Sequence, residues 1–154
     1  MSEHAPQNLK EYVTAMIGGQ LFGLPILRVQ DVFIPERLTR VPLAPPEVAG
    51  VLNLRGRIVT LIDMRRSLGL DERADPGGPP MAIGVERAGE SYGLLIDSVG
   101  EVLKLDDAAR EANPINLDPR LARVSAGIHR LDGQLLMVVD VDRVLEAGGK
   151  AMAA

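Results

Sequence analysis

Apolar and polar residues alternate in short runs along most of this chain, and the runs stop at glycine, proline or aspartate. Residues 12–17 and 20–24 read as a hairpin joined by Gly18-Gly19, because both glycines accept the positive φ of a two-residue turn. Val48–Leu54 and residues 57–62 read as a second hairpin turning at Arg55-Gly56, followed by a helical turn over residues 64–68. Alternation then predicts strands over Met81–Arg87, Glu90–Ile96, residues 99–105, residues 124–131 and Gln134–Val139. Residues 38–41 form a further predicted strand, stopped by Pro42, Pro45 and Pro46, which cannot sit in a central ladder. Residues 26–33 fit neither period. Ile26, Val29 and Phe33 share a helical face, but β-branched residues weaken a helix. A helix start is offered at residues 106–110, and residues 140–145 predict a capped final helix ended by Gly148-Gly149.

The two halves repeat each other. Residues 48–63 laid over residues 125–140 match at Ala49/Ala126, Gly50/Gly127, Leu54/Leu131, Gly56/Gly133 and Asp63/Asp140, with apolar positions kept apolar between them. Residues 19–26 match residues 89–96 in the same way, and the register continues through Val29/Val99, Asp31/Glu101 and Val32/Val102. The second copy carries seven more residues between its matched segments, within residues 106–123. Two tandem units of about 60–70 residues are each near the lower size limit for an independent core, so they are expected to pack together. Many short strands separated by turns imply an all-β fold, with a small barrel in each copy and sheet closure removing exposed edges. Residues 1–9 read as a tail, 10–146 as one domain and 147–154 as a C-terminal tail. Within the domain, subdomains cover about 10–70 and 81–146, with possible strand exchange and a linker at 69–80 rich in Pro, Gly and Asp.

Composition narrows the chemistry. Apolar residues make up 46% of the 154, enough for a core, and aromatics only 3%, so Val, Ile and Leu must fill it. No cysteine is present, which removes disulfides and thiolate chemistry, and no metal-ligand spacing, Walker pattern or GxGxxG occurs. His4 falls in the tail; His129, aligned with Leu52, is expected to be a partly exposed strand residue. Asp63 and Asp140 occupy equivalent places and are read as caps of the helical turn after each motif hairpin rather than as a catalytic pair. Arg37, Arg40, Arg55, Arg57, Arg65 and Arg66 form a basic cluster, yet the net charge of −4 and four aromatics leave little for nucleic acid to bind. No basic-then-apolar leader and no run of about 20 apolar residues occurs, so a cytoplasmic location without direct membrane insertion is expected.

The asymmetry between the hairpin tips is the sharpest signal. Asp132-Gly133 suits a tight turn for its own stability, whereas Arg55-Gly56 places a forked, permanent cation at the equivalent tip. Arginine in that position fits a carboxylate partner at an interface and, equally well, a solvated side chain on a loop.

Asn53-Leu54-Arg55-Gly56 with residues 58–63, the stretch 26–32, Thr39-Arg40-Val41-Pro42 and residues 93–103 resemble the CheW family, the coupling proteins of bacterial chemotaxis. The resemblance runs in one register over about residues 10–146 and implies two intertwined five-stranded barrels of the Src-homology-3 type. It further implies a non-catalytic adaptor, without cofactor or metal, joining the cytoplasmic tip of methyl-accepting chemoreceptors to the histidine kinase CheA. The kinase's regulatory domain is itself similar in fold, and recruitment to membrane-associated receptor arrays follows from the same resemblance. By position, Val29, Asp31, Gly50 and Arg55 match residues tied to receptor and kinase coupling, with Asn53, Leu54 and Gly56 completing the motif and Thr39 and Arg40 as further contacts. Asp31 and Arg55 are expected to pair. An adaptor of the same fold serving pilus motility or another non-flagellar array is the alternative, and a nucleic-acid-binding barrel a remote one.

Overall fold

The computed structural model describes residues 9–70 and 80–152. Among these residues ten strands are arranged as β1 (Leu9–Ile17), β2 (Gln20–Pro25), β3 (Asp31–Phe33), β4 (Val48–Leu54), β5 (Arg57–Asp63), β6 (Met81–Arg87), β7 (Glu90–Ile96), β8 (Ser98–Asp106), β9 (Ser125–Leu131) and β10 (Gln134–Val139). Three α-helices accompany them: α1 (Met64–Ser67), α2 (Pro119–Val124) and α3 (Val141–Met152). One five-stranded sheet has the order β8-β1-β2-β10-β9 and the other β3-β6-β7-β5-β4. Repeat equivalence maps the first order onto the second strand for strand, so the two sheets are copies of one design. Each takes strands from both halves of the chain, through the parallel pairings β2–β10 and β5–β7.

The architecture is all-β and Src-homology-3-like, but neither ladder closes among the described residues. The β4 and β9 edges are each met instead by a single backbone bridge, Thr39 on Val51 and Glu111 on Ile128. These bridges are repeat equivalents: Thr39 N–H donates to Val51 O, and Thr39 O accepts the Val51 N–H, both at 2.8 Å. The strand expected over residues 38–41 is therefore corrected to this one bridge. Arg37 at φ 56° and the three prolines allow no longer pairing.

Residues 26–33 resolve into a 3₁₀ turn, Ile26–Arg28, followed by β3. The extra residues of the second copy hold a 3₁₀ turn (Asp107–Ala109), begun where a helix start was expected, and then α2. Asp63 Oδ1 accepts the Arg65 and Arg66 amides, and Asp140 Oδ1 accepts the Arg143 amide, so both aspartates cap helices as expected. Gly148-Gly149 does not end the last helix, which continues to Met152: a glycine weakens a helix interior by about 1 kcal/mol without breaking it. Residues 1–8, with His4, and residues 71–79 of the expected linker lie outside the described residues.

One main core joins the sheets, built from Val13, Ile17, Phe22 and Leu24 of the first, Ile62, Ile83, Val85 and Leu94 of the second, and Val144 and Leu145 of α3. The opposite face of each sheet buries a small cluster of its own, and the two clusters use equivalent positions. Leu52, Val59, Leu61 and Ala82 fill one. Tyr12, Leu136 and Val138 fill the other, with buried His129 in the place of Leu52. The expectation of a partly exposed His129 is thus overturned, since only 3% of the residue is accessible. Its strand position points inward, and the exchange of Leu52 and Ala82 for His129 and Tyr12 fills the same space. The two rings sit 5.9 Å apart, tilted by 57°.

Candidate functional site

The motif hairpin β4–β5 turns through Arg55 at φ 52° and Gly56 at φ 83°, the two positive φ values of a type I′ turn. Holding an arginine in left-handed backbone costs on the order of 1 kcal/mol. Part of that is offset by Asn53, whose Oδ1 accepts the Gly56 N–H at 2.9 Å. Asp132, by contrast, is not among the positive-φ residues, although Gly133 is at φ 82°. The Asp-Gly tip thus lacks the turn its composition favours, and the Arg-Gly tip has it.

The turn carries the Arg55 guanidinium to Asp31 on β3, Nη2 lying 3.7 Å from Oδ2. Arg55 is largely exposed and Asp31 partly buried, so the pair sits at a rim. Asp31 pairs in register with Gly84 of β6, and a Cβ at Gly84 would fall inside the Asp31 carboxylate. A small cleft lined by Gln30, Asp31, Phe33, Leu54, Arg55 and Tyr92 lies at this rim. A larger groove of about 680 Å³ continues from it across Phe33 and Leu54, past Ile34, Thr39, Asn53 and Ile58. Ile34 and Ile58 are exposed along it, an apolar stripe in a channel that Glu36 and Arg37 also line.

Of the residues expected at the site, Asp31, Asn53, Leu54, Arg55 and Thr39 line these grooves. Gly56 makes the turn. Arg40 faces the neighbouring depression bounded by Pro45, Pro46 and Asp63. Val29 packs against the main core and lines neither groove. Gly50 lies beneath: a Cβ there would approach Thr39 O to 2.5 Å, at φ +152°. Its equivalent Gly127 is in the same position, 2.7 Å from Glu111 O at φ +128°. The shared geometry makes Gly50 a framework residue that lets the covering segment cross its strand.

Two features were missed from sequence. Gly84 makes room for Asp31, and its only trace is a glycine interrupting an apolar strand. Leu43 and Ile115, at 104% and 105% relative exposure, are equivalent apolar knobs that each follow a proline after the covering bridge. Leu43 stands at φ 63° in a turn closed by the Ala44 N–H on Val41 O, where glycine is the usual choice. Among the described residues there is no cluster of three metal-ligating side chains, and no helix is long and apolar enough to cross a membrane.

Comparison with known proteins bears on this arrangement directly. Residues 11–148 match the family model described as a CheW-like domain. The chain belongs to the CheW family. A chemotaxis protein CheW of Rhizobium meliloti (strain 1021) is 26% identical over 143 residues, covering 93% of this chain and 92% of that protein. The CheW of Klebsiella aerogenes is 28% identical over 153 residues, covering 93% and 86%. The crystal structure of the scaffolding protein TtCheW from Thermoanaerobacter tengcongensis superposes with a TM-score of 0.82 at 28% identity, over 99% of this chain and 98% of that one. CheW-family membership makes this chain a scaffold of chemotaxis signalling and not an enzyme.

Proposed function

We propose that this chain couples the cytoplasmic tip of methyl-accepting chemoreceptors to the regulatory domain of CheA, and is thereby recruited to membrane-associated receptor arrays. The observation that carries the reading is the strained Arg55 tip, aimed at Asp31 on the rim of an apolar groove. An exposed cation at a groove mouth, where the equivalent tip of the other repeat carries Asp132, is what a binding site retains and a purely structural turn does not need. The apolar channel suits a helical receptor tip, and the rim pair supplies register and orientation. The knobs Leu43 and Ile115, one on each repeat, offer rigid apolar contacts to a kinase domain of related doubled architecture.

Titration of the full chain against a receptor-tip fragment and against the CheA regulatory domain tests this. Binding to both, weakened for the tip by Arg55→Asp and partly restored by Asp31→Arg in the same chain, is the expected result. Leu43→Asp and Ile115→Asp are expected to weaken the kinase contact without lowering the melting temperature. A wild-type chain that binds neither partner overturns the reading.

A further inference from the structure

The charged contacts around the groove do not stop at its rim. Arg57 reaches Glu86 on β6 at 3.8 Å, and Glu86 Oε1 accepts Gln30 Nε2 at 3.4 Å. The Gln30 amide itself donates to Gly84 O at 2.8 Å, so the stretch 29–31 lies along the outer side of β6. One residue earlier, Arg28 closes the 3₁₀ turn, and its Nη2 donates both to Glu86 O at 3.2 Å and to Asp142 Oδ1 at 2.9 Å. Asp142 stands in the first turn of α3 and also faces Arg87, whose guanidinium reaches on to Glu146. Meanwhile Val141, Val144 and Leu145 fix α3 in the main core, so the helix is an anchored support.

We propose that Arg28 and Asp142 form a clamp through which α3 positions residues 29–31 for partner coupling at the Arg55 groove. The proposal rests on the function given above. Arg28 and Asp142 are positioning residues: neither lines the groove around Arg55. The bond from Arg28 also holds the Asp142 carboxyl below its usual range, as a formed charge-assisted contact does. Because Asp142 belongs to the second half and Arg28 to the first, the clamp is one more place where the intertwined halves depend on each other.

Amide hydrogen exchange and receptor-tip affinity, measured together on the full chain, decide it. Asp142→Ala is expected to speed exchange of the Gln30 amide about three- to fivefold, the scale of a half-exposed ion pair, and to weaken tip binding by a similar factor. The Thr39 amide, bonded to Val51 O at the far end of the groove, serves as an internal control and should not change. Arg28→Asp combined with Asp142→Arg should restore both readouts, which a generally loosened fold would not do. Unchanged Gln30 exchange, or faster exchange with normal binding, or no rescue by the swap, overturns the clamp. Arg55→Asp run alongside separates the two ideas. If only Asp142→Ala binds normally, the clamp alone falls; if Arg55→Asp also binds normally, the groove reading falls and the clamp's purpose with it.

Discussion

The two sheets are built on one plan, and their hairpin tips show where the plan was bent. In the sheet of β4 and β5, the tip holds Arg55 in left-handed backbone, with Asp31 opposite and Gly84 emptied to admit the carboxylate. In the sheet of β9 and β10, the tip holds Asp132 with an ordinary φ, and the place of Gly84 is taken by Thr14, whose hydroxyl donates to Glu101 O at 2.6 Å. Arg130, in the place of Asn53, donates instead to Glu111 at 2.7 Å and ties its strand to the covering segment. The second tip thus spends its polar side chains on itself, whereas the first leaves a cation exposed over an apolar groove. Duplication makes this difference readable, because each position carries its own control.

The largest effect is expected where the copies agree. Gly50→Ala and Gly127→Ala should each cost about 2–4 kcal/mol in urea unfolding, since each added Cβ meets a backbone oxygen that cannot move aside. Comparable losses in both copies would confirm a shared framework role. A loss only at Gly127 would return Gly50 to a purely functional one.

A smaller effect is expected where the small clusters differ. Burial pushes the His129 pKa below 6.5, and Asp107 opposes that push while Arg110 reinforces it and Asp106 opposes it weakly. Among the described residues its Nε2 has no hydrogen-bond partner. A folded pKa below the unfolded one means that the unfolded chain binds the proton more readily. This contribution to stability is therefore full above pH 6.5 and is lost as pH falls from there through the lower folded value. The slope cannot exceed about 1.4 kcal/mol per pH unit for one proton. Melting curves of wild type and His129→Leu between pH 5 and about 8 should diverge on the acid side, and parallel curves would contradict this.

The smallest effect concerns strain. Arg55→Asn should stabilise the fold by about 0.5–1 kcal/mol, because asparagine tolerates the left-handed region better. Asp132→Arg should change stability by less than about 0.5 kcal/mol, its backbone being unstrained. Ala88 occupies the same left-handed place in the β6–β7 turn, so strain there is a demand of the turn and no sign of function by itself.

Much of the architecture was legible in the alternation and the repeat: nine of the predicted strands have observed counterparts within a few residues, and both aspartate caps form. What local pattern does not encode is partner choice. The parallel pairings β2–β10 and β5–β7 join residues far apart in sequence, and alternation is the same whichever half supplies the neighbour. Burial of His129 was signalled by its alignment with Leu52 and obscured by its polarity. At the site, the Asp31–Arg55 pairing followed from family position and the asymmetry of the tips. Turn composition misled, because the I′ backbone sits under Arg55 rather than Asp132. Leu43 and Ile115 leave a trace in the repeat, because Pro42 and Pro114 mark one register through the covering segments.

The most direct test of the specialised tip is receptor-tip affinity measured in parallel for Arg55→Asp and Asp132→Arg, each with a melting curve. Loss of an interfacial arginine that anchors binding costs about 2 kcal/mol or more, close to thirtyfold in affinity. A loss of that size for Arg55→Asp, with Asp132→Arg binding as wild type and both chains folded, is the predicted result. Normal binding by Arg55→Asp, or equal losses in the two variants, would contradict it.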